Sequence, residues 1–222
     1  MTPLAGIILA SCSEPHFQFM SMVLSARMLE SAFVYRTWQA AFAEPKFAPV
    51  LANNDLRKPR RVLDVGCGPG INTAHFTGPG YLGIDINERY IRDARQRHPQ
   101  REFLVADVRR YVARPEDRFD FVLANSFLHH LNTEDVVGIL SCMRSQLTSD
   151  GTFHALEPVL PREKSIARLL AQCDRGKFVR VREDWESIFG QLFEPVYVEY
   201  YPVIRLGMTL WNMVYFKGRP KL

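Results

Sequence analysis

Apolar positions along the chain alternate between short unbroken runs and helical stripes. The runs "RRVLDVG", "YLGIDI", "EFLVADV", "FDFVLANS" and "GTFHALEPV" are rich in Val, Leu, Ile and Phe and bounded by turn-forming or charged residues, which predicts five buried strands. Between them, "ERYIRDARQRH" predicts a helix with Asn87 capping its first amides, and "TEDVVGILSCMRSQL" predicts another with Thr133 or Asn132 at its cap. A short helix is expected to start near Gly70. Strands alternating with helices at this spacing predict an α/β fold with a parallel sheet covered on both faces. The rhythm breaks at the end. "VYVEYYPV" and "TLWNMVYFKG" are joined by "IRLGM", too short for a helical crossover, so these two strands are expected to be antiparallel.

Upstream, residues 17–43 combine helix formers with Phe17, Phe19, Tyr35 and Trp38, which predicts one or two amphipathic helices ended by Pro45 and Pro49. The whole chain reads as one domain in four parts: an N-terminal helical lid over 1–55, a core over 56–160, a helical insertion over 161–193 and a terminal hairpin over 194–222. A length of 222 residues suits one sizeable domain, and 47% apolar with 23% charged residues is ordinary for a globular protein. A net charge of +4 permits an anionic substrate, but without a strongly basic face it does not point to nucleic acid. Cys12, Cys67, Cys142 and Cys173 lack the spacing of a metal site, and no metal is expected. "LAGIILASC" resembles a lipoprotein cleavage box, but no Lys or Arg precedes it and its apolar core is short. No apolar run approaches the ~20 residues needed to span a bilayer, so a cytoplasmic protein is expected. The oligomeric state is left open, a homodimer included.

The stretch "VLDVGCGPG" holds most of the chemistry. Gly66, Gly68 and Gly70 follow a strand and empty a tight turn of side chains. The dinucleotide fingerprint needs a third small residue where Ile71 stands, and the phosphate loop needs a Gly-Lys-Ser/Thr that is absent. Pro69 also removes an amide that a phosphate cradle would use. The loop therefore suits close approach of a ligand that is not strongly anionic. Asp85, 19 positions after Gly66 at the end of the next strand, is placed to hold ribose hydroxyls. Asp64 is a carboxylate inside a strand built for burial, and a buried charge needs partners. An ammonium-bearing ligand or the loop amides are the expected ones. Asp107 ends the third strand.

Taken in order, "VLDVGCGPG", "GIDIN", "VADV", "FDFVLANSFLHHL" and "GTFHALEP" resemble the successive motifs of class I S-adenosylmethionine-dependent methyltransferases, over roughly residues 60–160. The resemblance implies a Rossmann-like, seven-stranded, mostly parallel sheet with a C-terminal antiparallel hairpin, and S-adenosyl-L-methionine as cofactor, leaving as S-adenosyl-L-homocysteine. It implies that Gly66, Cys67, Gly68 and Gly70 line the methionine and sugar, with Asp64 near the amino group. It further implies Asp85 on the ribose, Ile86 on the adenine, Asp107 with the Val108 amide at the adenine edge, and Asn125 and Ser126 facing the methyl donor.

Asn125-Ser126-Phe127-Leu128 lacks the prolines and stacking aromatic found after the fourth strand in relatives that methylate adenine or glutamine nitrogen, so a small-molecule acceptor, such as a secondary metabolite, a sugar or a lipid headgroup, is favoured. His129 and His130 stand at the carboxyl edge of the sheet and are the candidate general bases, because imidazole accepts a proton near neutral pH. His154, inside a strand, reads as a core residue. "CDRGKFVRVR" is basic beside the expected pocket, and Arg175 and Lys177 are the candidates for an anionic group of the acceptor. Tyr35 and Trp38 are the candidates for an acceptor-facing lid. The alternatives are a non-catalytic S-adenosylmethionine-binding or interaction protein that kept the fold, an aminopropyl transferase, and a nicotinamide enzyme, the last disfavoured by Ile71.

Overall fold

The computed structural model describes residues 32–173 and 177–221, with side chains described from Phe42 onward, Cys173 excepted. The chain divides at Ala41/Phe42, and the packing below is that of the second unit, 42–222. The run "LAGIILASC" and the aromatic positions 17–31 lie outside the described residues.

Seven strands form one sheet: β1 Arg61–Val65, β2 Gly80–Asp85, β3 Glu102–Val105, β4 Phe119–Asn125, β5 Leu147–Val159, β6 Phe193–Arg205 and β7 Met208–Pro220. Among the described residues five α-helices accompany them: α1 Ala32–Asn53, α2 Glu88–Arg97, α3 Thr133–Gln146, α4 Ile166–Cys173 and α5 Arg182–Leu192. The sheet order is β3-β2-β1-β4-β5-β7-β6. The first five strands are parallel, and β7 inserts antiparallel between β5 and β6. The alternating period of the strands sends Leu63 and Val65 to one face, with α3 and α5, and Val62 to the other, with Phe47, Val50, Ile91 and Ala94 of α1 and α2. The expected mostly parallel sheet with a terminal hairpin and helices on both faces is the fold found.

Asn87 caps α2, its side-chain oxygen accepting from the amides of Arg89 and Tyr90 at 3.0 and 3.4 Å. Asn132 caps α3 through the Asp135 amide at 2.9 Å. Asn87→Ala is expected to cost about 1 kcal/mol of stability, read from urea unfolding.

Three local expectations are corrected. Pro45 and Pro49 do not end a helix; α1 runs through both to Asn53. Each proline forfeits a backbone bond, about 3 kcal/mol in a helix interior. Pro45 is exposed, where its freed neighbours meet water, while Phe47 and Val50 are fully buried and hold the helix by packing. The Asn53 and Asn54 side-chain amides then donate to the carbonyls of Pro49 and Val50, each at 2.8 Å, and close the terminus. After Gly70 only a single tight turn, Thr73–His75, forms instead of a helix. Gly66, Gly68, Pro69, Gly70, Gly78 and Pro79 leave too little uninterrupted chain there for one. Finally, β3 stops at Val105, so Asp107 lies beyond it and caps a turn over Val108–Arg110.

Candidate functional site

In open α/β sheets ligands bind past the carboxyl ends of the strands, where the strand order reverses. Here that point lies between β1, which leads outward to β2 and β3, and β4, which leads to β5. The "VLDVGCGPG" turn and the "NSFLHHL" turn both emerge there.

Gly66, Gly68 and Gly70 have φ of +68°, +53° and +75°, a region costly for residues with a Cβ. At Gly68 a Cβ would stand in open space, so no packing demands a glycine and the backbone geometry does. The loop is tied to β2: the amides of Gly66 and Cys67 donate to the Ile84 carbonyl at 2.8 and 3.1 Å. Asp85 completes the tie. Its Oδ2 accepts from the Gly68 amide at 3.0 Å and its Oδ1 from the Asn87 amide at 2.8 Å. One carboxylate thus fixes both the glycine turn and the start of α2, and each oxygen keeps acceptor capacity for a diol. Beside it Ile86 is an apolar side chain left 76% exposed. The buried Cys67 thiol is pushed up in pKa by burial, then by the charges of Asp64 and Asp85, and it packs rather than reacts.

Asp64 is buried, but its partner is neither loop amide. Tyr81 of β2 donates its hydroxyl to Asp64 Oδ2 at 2.7 Å, and Thr73 donates to the Tyr81 hydroxyl at 2.9 Å. Burial raises the Asp64 carboxyl to about 7, against the Tyr81 hydrogen bond and with help from the nearby Asp85 charge. Asp107 is engaged by Arg109, with Nη2 at 2.7 Å and Nε at 3.0 Å from both oxygens, and its carboxyl lies below the usual range for that reason. An adenine amino group would have to share that carboxylate. Val108 is buried.

Across the switch point, Ser126 donates its amide to the Leu156 carbonyl at 2.8 Å and its hydroxyl to Asn125 Oδ1 at 3.0 Å, and stands at φ +56°. That conformation costs a non-glycine residue about 1 kcal/mol or more and marks a turn held by its surroundings. The two candidate bases part company: His129 is buried with Nδ1 2.7 Å from Glu157 Oε2, while His130 is exposed. His154 is the core residue expected, stacked 3.8 Å from Phe121 with Nδ1 2.9 Å from the Tyr215 hydroxyl. Burial holds it neutral, well below the ordinary histidine range.

The basic segment is largely spent within the chain. Arg162 pairs with Glu183, Arg182 with Glu186, and Arg168 donates to the Pro161 carbonyl. Arg180 turns inward, 7% exposed, its guanidinium over Trp185. Lys177 is exposed, and the next residue, Phe178, donates its amide to the His129 carbonyl at 3.0 Å, which brings this segment to the edge of the site. Arg175 lies outside the described residues, as do the side chains of Tyr35 and Trp38 on α1. Among the described residues no cluster of His, Cys, Asp and Glu is arranged to hold a metal, and no helix is long and apolar enough to cross a membrane. Glu157 and Tyr81 were missed by sequence reasoning. Their only signals were an acid inside the apolar run "FHALEPV" and a tyrosine opening "YLGID".

Residues 62–151 match a family model described as a methyltransferase domain. The trans-aconitate 2-methyltransferase of Paracidovorax citrulli is 32% identical over 99 residues, 43% of this chain and 38% of the relative, and that of Yersinia pestis is 29% identical over 129 residues, 56% and 48%. The chain thus spans less than half the length of these curated relatives. Among solved structures, the magnesium protoporphyrin IX methyltransferase of Synechocystis PCC 6803 with bound S-adenosylmethionine superposes with a TM-score of 0.60 at 18% identity, over 84% of this chain and 82% of that one. The N-methyltransferase NodS of Bradyrhizobium japonicum WM9 with S-adenosyl-L-homocysteine does so with a TM-score of 0.60 at 15% identity, over 94% and 100%. The matched stretch runs through the glycine loop and the strand ends it serves, and the fold around it is the one these solved methyltransferases share.

Proposed function

We propose that this chain transfers a methyl group from S-adenosylmethionine to a small-molecule acceptor bearing an anionic group. The observation that carries the reading is Asp85, which holds the left-handed glycine turn and the start of α2 while presenting a carboxylate beside the exposed Ile86. That set fits an adenosine: an acceptor pair for the ribose diol, an apolar surface for the base, and a loop without side chains for the methionine portion. When bound, the cofactor supplies a sulfonium methyl already activated for in-line displacement, so alignment and exclusion of water are the protein's main tasks.

Gly66, Gly68 and Gly70 admit the ligand to the backbone, and Asp64 lies beneath them for its amino group. Asn125 and Ser126 present polar atoms from the opposite strand end. His130, the exposed member of the histidine pair, is the one an acceptor can reach and the base for acceptors that must lose a proton. The anionic group is supported by relatives named for trans-aconitate and by Lys177, which directly precedes Phe178, whose amide donates to the His129 carbonyl, and which is exposed where Arg162 and Arg182 are paired within the chain. Arg175 and the lid residues Tyr35 and Trp38 belong to the same proposal.

The test is calorimetry with S-adenosylhomocysteine followed by a labelled-methyl screen of small carboxylic acids and phosphates. Binding without transfer to any acceptor would favour a non-catalytic binding protein; absence of binding would sink the reading. With an acceptor in hand, the double substitution Arg175→Ala and Lys177→Ala is expected to raise its Michaelis constant about 10-fold while leaving cofactor affinity unchanged.

A further inference from the structure

β5 carries a charge that the cofactor site does not use. Glu157 sits in the interior of the sheet, opposite Val214 of β7, and is fully buried. Its two oxygens gather donors from one turn. Oε1 accepts from the amides of Phe127 at 3.0 Å and Leu128 at 2.9 Å. Oε2 accepts from the His129 amide at 3.3 Å and lies 2.7 Å from His129 Nδ1. The carbonyl side of the same turn is held by a second buried charge: Arg180 donates to the Leu131 carbonyl at 2.8 Å and the Leu128 carbonyl at 3.5 Å. An acid on the amides and a guanidinium on the carbonyls is an expensive arrangement for a connection, because each ion must be taken out of water.

The turn so held reaches the cofactor loop. The Phe127 ring lies directly on Gly66, where a Cβ would come within 2.8 Å of Phe127 Cδ1. Ser126, at the head of the turn, keeps its left-handed φ. We infer that Glu157 is a positioning residue that locks the turn 126–130 onto the glycine loop and fixes a proton on His129 Nδ1. Acceptor side and cofactor side of the site are thereby one rigid piece. A carboxylate suits this role and a carboxamide does not: glutamine has one acceptor oxygen, and its NH2 would meet either the paired amides or the His129 edge donor to donor. The inference rests on the methyltransferase reading only in taking the Gly66 loop as the cofactor's.

Long-range 1H–15N correlation spectra of the full chain test it without any substrate. His129 is expected to carry its proton on Nδ1; a bare Nδ1 with the proton on Nε2 overturns the proposal. In Glu157→Gln the side-chain NH2 is expected to turn to Nδ1 and move the proton to Nε2, and S-adenosylhomocysteine is expected to bind about 10-fold more weakly. A tautomer or an affinity unchanged from wild type in the folded variant overturns it. Should that variant fail to fold, Phe127→Leu makes the same affinity test: about 10-fold weaker binding supports the coupling and wild-type affinity overturns it. Wild-type protein that binds no S-adenosylhomocysteine would instead sink the methyltransferase reading, and the His129 tautomer would still judge Glu157.

Discussion

Asp85→Ala is expected to weaken S-adenosylhomocysteine binding at least about 100-fold, with the protein still folded. The carboxylate accepts from the Gly68 and Asn87 amides at 3.0 and 2.8 Å. Hydrogen bonds to a charged group are worth about 1.5–3 kcal/mol each, so losing two removes about 3–6 kcal/mol of order from the loop, and tenfold in affinity is about 1.4 kcal/mol. The proposed contact to the ribose hydroxyls would be lost in addition. Gly68, at φ +53°, then has no partner fixing its amide, and Asn87 loses the bond that aims its cap at α2. Asp85→Asn keeps one acceptor oxygen and is expected to fall between. Calorimetry, with melting temperature as the check on folding, decides it: wild-type affinity in Asp85→Ala would mean that the loop is not the cofactor's.

Much of this site was legible because its cues are local. Three glycines directly after "VLDV" and an acid closing "GID" set the loop and its anchor within 20 residues. The strands were legible for a similar reason, since short Val- and Phe-rich runs bounded by Gly and Asn have few other readings. The antiparallel hairpin followed from link length alone, and β6 and β7 are joined by only Leu206 and Gly207. What escaped was set by tertiary contacts. Pro45 and Pro49 signal a helix end, yet Phe47 and Val50 bury fully against the sheet and outweigh the local preference. Arg180 stands in a basic run that reads as solvated or anion-binding, and only the fold brings the carbonyls of Leu128 and Leu131 within its reach.

The two buried acids show the boundary most sharply. Asp64 and Glu157 each interrupt an apolar strand, and the sequence says only that such a charge must be partnered. It does not say by what. For Asp64 the partner is a tyrosine 17 positions on; for Glu157 it is a turn 28 to 30 positions back, whose amides become donors only once β4 and β5 are paired.

Asp64 also yields the second large effect, a pH dependence. Burial raises its carboxyl to about 7 from 3.8, so the folded protein holds a proton that the unfolded chain releases at lower pH. Stability falls with pH wherever the native state binds more protons, so the contribution is full below about pH 4 and lost as pH rises through about 7. Asp64→Asn removes the titration. The unfolding free energy of wild type is therefore expected to fall relative to the variant by about 2–4 kcal/mol between pH 4 and 8, at about 1.4 kcal/mol per unit of pKa difference. Parallel stability curves would show that Asp64 stays ionised in the free protein. Cofactor binding should reverse the preference, because an ammonium brought beside Asp64 favours its carboxylate. At pH 6, wild type is expected to release about one proton on binding S-adenosylhomocysteine, measured by calorimetry in buffers of different ionisation enthalpy, and Asp64→Asn none. Equal proton release by both proteins would remove Asp64 from the amino group of the ligand. A proton released by wild type alone would identify the Tyr81–Asp64 pair as the receiver of that amino group, with the tyrosine hydroxyl holding the acid in place until the ligand arrives.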